Sequence, residues 1–203
     1  MGQKRLQNAI ASFQTNHDNS KISVEWKAYI IDPNAALEGE EFEAYSRRRW
    51  GSSSWTNRLK QEGRKSGAAF QNWIWWSNTL RSHRLVRFAQ ERYGVETGKS
   101  NAAIFNALYE EGQNVSLLDT LVRIGTNDLN LPDANELRGY LESSEGEAEV
   151  KAEMERGRRM YQISGVPFFV IGKEGGDGDP YGLSGAQKEE TLLKVFEELS
   201  EEK

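Results

Sequence analysis

His17 and His83 are the only histidines in the sequence, and histidine is the side chain whose ordinary pKa suits proton transfer near neutral pH. His83 stands at helical spacing from Leu80 and Val86, so it reads as a hydrogen-bonded, partly buried histidine rather than a base. No nucleophile lies near it in sequence. Cysteine is absent from the chain, which removes disulfides, a thiolate nucleophile and any Cys-ligated metal, and two isolated histidines make no His-rich metal site. Carboxylates are plentiful, 31 in all, but none stands in a setting that sequence marks for a raised pKa, so no glycosidase-type pair is singled out. The glycine-rich run GKEGGDGDP at 172–180 lacks the Lys-Ser/Thr ending and the strand-to-helix setting of a phosphate-cradling loop. The sequence therefore assigns no catalytic residue, no metal ligand and no cofactor.

Binding chemistry is better represented. Trp73, Trp75 and Trp76 form the densest aromatic cluster and read as packing that seals helices, with a ligand-stacking platform as the alternative. Arg47, Arg48 and Arg49, with Arg156, Arg158 and Arg159, have the composition of an anion-binding surface. With a net charge of -5, interspersed acids and no nucleic-acid motif, they read as solvated helix faces.

The elements that would position these residues follow from periodicity. Leu6, Ala9, Ile10 and Phe13 recur at helical spacing and predict a helix over 3–14. Residues 22–31 alternate apolar with polar, the period of a half-buried strand. Helical periods then follow one another over 40–49, 55–65, 78–93, 100–111, 116–125, 133–142 and 146–163. Asn78 and Thr79 are placed to cap the third of these, Asp133 with Glu136 makes a capping box, and Ser164-Gly165 gives a stop. VPFFVIG reads as a buried strand, 172–180 as a turn and YGLSG as a second strand, together a hairpin. Ser184 and Gln187 form a further capping box before a terminal helix bearing Leu192, Leu193, Phe196 and Leu199.

At 203 residues and 23.0 kDa the chain holds one full-sized domain or a domain with a large insertion. Its longest apolar stretch, Val166 to Ile171, is far short of the roughly 20 residues that span a bilayer. The amino end MGQKRLQNAIASF has no continuous apolar core of a secretory signal. These features predict a cytoplasmic protein with neither membrane nor nucleic acid among its partners.

Residues 165–187, GVPFFVIGKEGGDGDPYGLSGAQ, resemble the DsbA-like branch of the thioredoxin superfamily, and within it the FrnE-type thiol-disulfide oxidoreductases. SVEWKAYIIDP is similar to the family's second strand, NTLRSHRLVRFA to its Asn-Thr-x-x-x-His-Arg helix, and FNALYEEGQNV to its Phe-x-x-x-Tyr-x-x-Gly helix end. Gly2-Gln3-Lys4-Arg5-Leu6 looks like the tail that follows the family's Cys-x-x-Cys motif. The motif and the strand before it are not among the 203 residues, and the expectation is an amino-terminally shortened member.

The resemblance implies an α/β, thioredoxin-like fold with a large helical insertion and its first central strand missing. Residues 1–35 and 160–203 would form the incomplete thioredoxin-like domain, and 36–159 the insertion. It further implies a cis Val166-Pro167 bond, with Val166 and Pro167 binding an extended substrate segment as an added strand. The missing strand would lie between 22–31 and 166–171, and its loss would leave unpaired backbone on both. The implied partners are protein or peptide thiol/disulfide substrates and the family reaction is thiol-disulfide exchange, yet exchange needs a thiolate, so these 203 residues carry no redox activity themselves. Two alternatives stand beside this reading. One is a non-catalytic, partner-binding domain. The other is a glutathione-dependent transferase or isomerase of kappa type, for which no serine occupies the motif position.

Overall fold

The computed structural model describes residues 1–18, 20–176 and 178–201. Two compact units are present. One comprises Met1–Ser23, Glu62–Ala68 and Gly157–Lys203, the other Val24–Gln61 and Ala69–Arg156.

In the first unit, α1 (Gly2–Asn16) packs on α9 (Glu189–Glu201). The apolar stripe read from the sequence is the buried one: Leu6, Ala9 and Phe13 meet Leu192, Val195 and Phe196, with the Phe13 and Phe196 rings edge to face at 5.7 Å. Each such side chain taken from water contributes about 1.5–3 kcal/mol. Asn8 donates to Glu189 Oε1 at 2.7 Å, fixing the register of the pair. The expected hairpin is also here, as β3 (Phe168–Ile171) and β4 (Tyr181–Ser184), antiparallel with Phe168 opposite Ser184 and Ile171 opposite Tyr181. Asp177, in the connecting turn, lies outside the described residues. The second capping box does not form. Ser184 ends β4, its carbonyl accepts from Gln187 Nε2, and α9 begins five residues later.

The second unit is helical. Its elements are α2 (Phe42–Trp50), α4 (Leu80–Tyr93), α5 (Thr97–Phe105), α6 (Leu118–Arg123) and α7 (Ala134–Glu142), with parts of α3 (Thr56–Lys65) and α8 (Glu147–Tyr161). Leu85, Phe88, Leu121, Ile124, Leu137 and Leu141 form the fully buried centre of its core. Asp133 caps α7, its carboxylate accepting from the N–H groups of Asn135 and Glu136, while the Glu136 carboxylate, the other half of the expected box, meets Tyr93 and Arg92 instead. Both α5 and α6 widen into a π-turn, Asn106–Glu110 and Ile124–Asp128. A short ladder that the sequence did not announce pairs β1 (Glu40–Glu41) with β2 (Trp75–Trp76); two residues a side are too few to show a period.

The strand expected over 22–31 is not in a ladder. Its two-residue rhythm survives in another form. The N–H of Trp26 donates to Thr97 Oγ1 (3.0 Å), that of Ala28 to Glu153 Oε2 (2.8 Å) and that of Ile30 to Met154 Sδ (3.4 Å). Side chains of α5 and α8 thus supply the acceptors that a neighbouring strand would.

Candidate functional site

In the first unit the amino end of α1 lies against the start of β3. A Cβ added to Gly2 would stand 2.8 Å from Pro167 Cγ and 3.6 Å from Phe169 Cζ, so only glycine permits this approach. Met1 is the cap residue, with no side-chain cap hydrogen bond, and the first turn holds no acid. Arg5 holds the helix in place. Its Nε donates to Ser66 Oγ and its Nη1 to the Ala186 carbonyl, both at 2.9 Å, while Nη2 pairs with Glu62 at 3.4 Å. One side chain, 12% exposed, therefore ties the first turn of α1 to the end of α3 and to the loop after β4.

The Val166-Pro167 bond is cis, as the resemblance implied. The Gly185 N–H donates to the Pro167 carbonyl at 2.8 Å, which fixes the alternation of the antiparallel ladder. Residues 169 and 171 exchange bonds with 183 and 181, and the N–H and C=O of Phe168 and Val170 face the opposite edge. Among the described residues no strand pairs with that edge. Val166 and Val170 beside it are 42% and 41% exposed. This edge is the one on which the resemblance places the family's first strand; beside it, Val166 and the amino end of α1 offer main-chain donors and acceptors and, among the described residues there, no general acid, base or nucleophile.

Trp73, Trp76, Asn78 and His83, singled out in the sequence, are structural parts of the second unit. Trp73 stacks on Phe42 at 4.3 Å and Trp76 on Tyr45 at 4.2 Å. Asn78 donates to the Ala35 carbonyl and accepts from the Leu80 N–H, a true cap contact, whereas Thr79 makes none. His83 Nε2 bonds the Tyr29 carbonyl at 3.1 Å, holding the 24–30 segment. Burial lowers its pKa below 6.5, while the Tyr29 bond and the charge of Glu153 pull it back up. The unfolded imidazole then binds a proton where the folded one does not. Stability is complete above about pH 6.5 and falls as pH drops toward the folded value. Thermal unfolding at pH 7.5 and 5.5 should show a loss of stability at the lower pH that shrinks in His83→Gln; an unchanged difference would contradict the assignment.

Arg84 was missed by the residue-level reading. Its guanidinium, in a residue 3% exposed, donates to the carbonyls of Tyr140, Leu141, Ser143 and Glu145, closing the carboxyl end of α7. The signal was present in the His-Arg pair of the NTLRSHR segment. Arg5 stood likewise in the GQKRL tail.

No helix among the described residues is long and apolar enough to cross a membrane. The model of the DSBA-like thioredoxin domain matches residues 1–197. No curated protein matches the chain. Among solved structures, the crystal structure of a probable DsbA oxidoreductase from Streptomyces coelicolor superposes with a TM-score of 0.79, covering 100% of this chain and 84% of that one at 23% identity. That likeness is one of fold, and with the family match it agrees with the expected thioredoxin-like α/β class.

Proposed function

This chain belongs to the DSBA-like thioredoxin domain family, and from that premise we propose that it docks extended protein segments, of the thiol- or disulfide-bearing class on which the family acts, against the main chain of Val166. The observation that carries the reading is the exposure of Val166 where the amino end of α1 meets Pro167. A docked segment would pair with the Val166 main chain, and the Val166 side chain would contact its side chains. The groups at Phe168 and Val170 lie on the edge where the resemblance places the family's first strand. The nucleophile of thiol-disulfide exchange is not among these residues, because the 203 contain no cysteine and exchange needs a thiolate. Residues 1–203 thus supply recognition without redox turnover of their own. Within the family, the GVPFFV and SGAQ segments support the FrnE-type branch. The two-unit organisation supports a thioredoxin-like domain interrupted by a helical insertion, though its breaks fall at 23/24 and 156/157, with Glu62–Ala68 in the first unit, rather than at the expected 35 and 160.

The test is Val166→Asp, which sets a carboxylate where the apolar side chains of the segment would lie and leaves the β3–β4 ladder intact. A fluorescein-labelled extended peptide with a central cysteine, and the same peptide with serine, should bind the native chain alike. Both should bind Val166→Asp at least tenfold more weakly, with the circular dichroism spectrum unchanged. Equal binding by the variant, or none by the native chain, would overturn the reading.

A further inference from the structure

From Arg47 to Lys60 the sequence carries five cations, Arg47, Arg48, Arg49, Arg58 and Lys60, and no carboxylate, in a chain of net charge -5. These residues run from the last turn of α2 to the first turns of α3, within the second unit. Part of that charge complements the carboxyl end of α2, and Arg48 is engaged by Glu40 at 2.5 Å and lies 5.5 Å above the Tyr45 ring. Arg47 and Arg58 are exposed, and among the described residues no carboxylate pairs with either. The local excess of positive charge is therefore available to something outside the chain.

Two indoles stand within it. Trp50 and Trp55 are 47% and 42% exposed, with ring centroids 4.9 Å apart at 68°. Their inner edges are packed: Trp50 on Tyr45 (5.2 Å) and Trp76 (5.6 Å), Trp55 on Phe42 (6.2 Å) and Trp73 (5.9 Å). The rings are thus held before any partner arrives, so little rotamer freedom is lost on contact. Nothing in the core requires the outer halves of both to remain in water.

We infer that the Arg47–Lys60 face docks an acidic segment of a partner protein, one whose carboxylates flank an apolar side chain. Tryptophan and arginine are the residue types that dominate binding energy at protein interfaces, and here they adjoin. The apolar side chain would lie against the corner of Trp50 and Trp55, and the carboxylates would meet Arg47, Arg49 and Arg58. Indoles half-committed to a core suit a shaped protein partner better than a lipid surface, which takes rings that can sink into it. The charge pattern would set the association rate and its salt dependence as much as the affinity.

The test uses the full chain and four probes: the fluorescein-labelled peptide Glu-Leu-Glu-Glu-Phe-Glu-Asp-Leu-Glu, its counterpart with every acid replaced by lysine, vesicles of phosphatidylcholine and phosphatidylglycerol, and oligo-dT of 15 nucleotides. The acidic peptide should bind, and at least tenfold more tightly than the other three. Its affinity should fall at least tenfold in Arg47→Glu/Arg58→Glu and also between 50 and 500 mM salt. Arg47→Gln/Arg58→Gln, which keeps side-chain size, should lie between. The inference is overturned if the acidic peptide does not bind, if both double variants bind it as the native chain does, or if vesicles or oligo-dT bind as tightly. Val166→Asp leaves this binding unchanged, which separates it from docking at Val166.

Discussion

An Arg84→Met variant should unfold with a stability about 4 kcal/mol below that of the native chain, the largest single-residue loss expected here. Methionine fills much of the same space but offers no donor. The buried Leu141 carbonyl would then lose its partner, that of Tyr140 would keep only the Ser143 hydroxyl, and those of Ser143 and Glu145, in exposed residues, would turn to water. Each buried acceptor left unpaired costs about 1–3 kcal/mol, and some relaxation toward water lowers the sum. The ring of Tyr140, 5.1 Å from the guanidinium carbon, would lose its cationic neighbour as well. Arg84→Lys should recover only a small part, because an ammonium is a compact charge that cannot span four carbonyls as the planar fork does. Urea denaturation followed by circular dichroism measures both. A loss below about 1 kcal/mol in Arg84→Met would mean that the carbonyls find other partners and that the cap is dispensable.

Gly146→Ala should cost about 3 kcal/mol, although alanine favours helices and the position immediately precedes α8. Gly146 has φ of +78°, in the left-handed region where a side chain costs about 1–2 kcal/mol. A Cβ there would also stand 2.0 Å from Tyr140 Oη. That hydroxyl cannot retreat easily: it is buried with no hydrogen-bond partner, and its ring packs on Phe88 at 4.8 Å. The double variant Gly146→Ala/Tyr140→Phe separates the two causes. Removing the hydroxyl should restore the part due to overlap and leave the part due to backbone strain. If the double variant is no more stable than Gly146→Ala alone, strain accounts for the whole effect.

The sequence made the helices legible because their apolar period was imposed by burial along a single face: Leu6, Ala9 and Phe13 on α1 are the plainest case. It made the hairpin legible because VPFFVI is apolar throughout and a glycine-rich turn follows it. The 22–31 segment shows where periodicity misleads. Alternation records which groups face inward, and here the inward N–H groups of Trp26, Ala28 and Ile30 meet side chains of α5 and α8 rather than a neighbouring strand. Arg84 was illegible for a related reason. Its four acceptors are backbone atoms more than fifty residues away, and a carbonyl leaves no mark in the residue types that supply it. At the candidate site, Val166 and Pro167 were visible only through resemblance. The close approach of Gly2 to Pro167 and the outward-facing groups of Phe168 and Val170 emerge from register, which local residue types do not encode.

Amide hydrogen exchange of the native chain, with and without the extended serine peptide, tests the central claim most directly. Docking at Val166 predicts that the peptide slows exchange at the Val166 N–H. Those of Phe169 and Ile171, already bonded within the hairpin, should change little. Protection that leaves Val166 unchanged, or that falls on another element altogether, would contradict the claim that Val166 is the docking site.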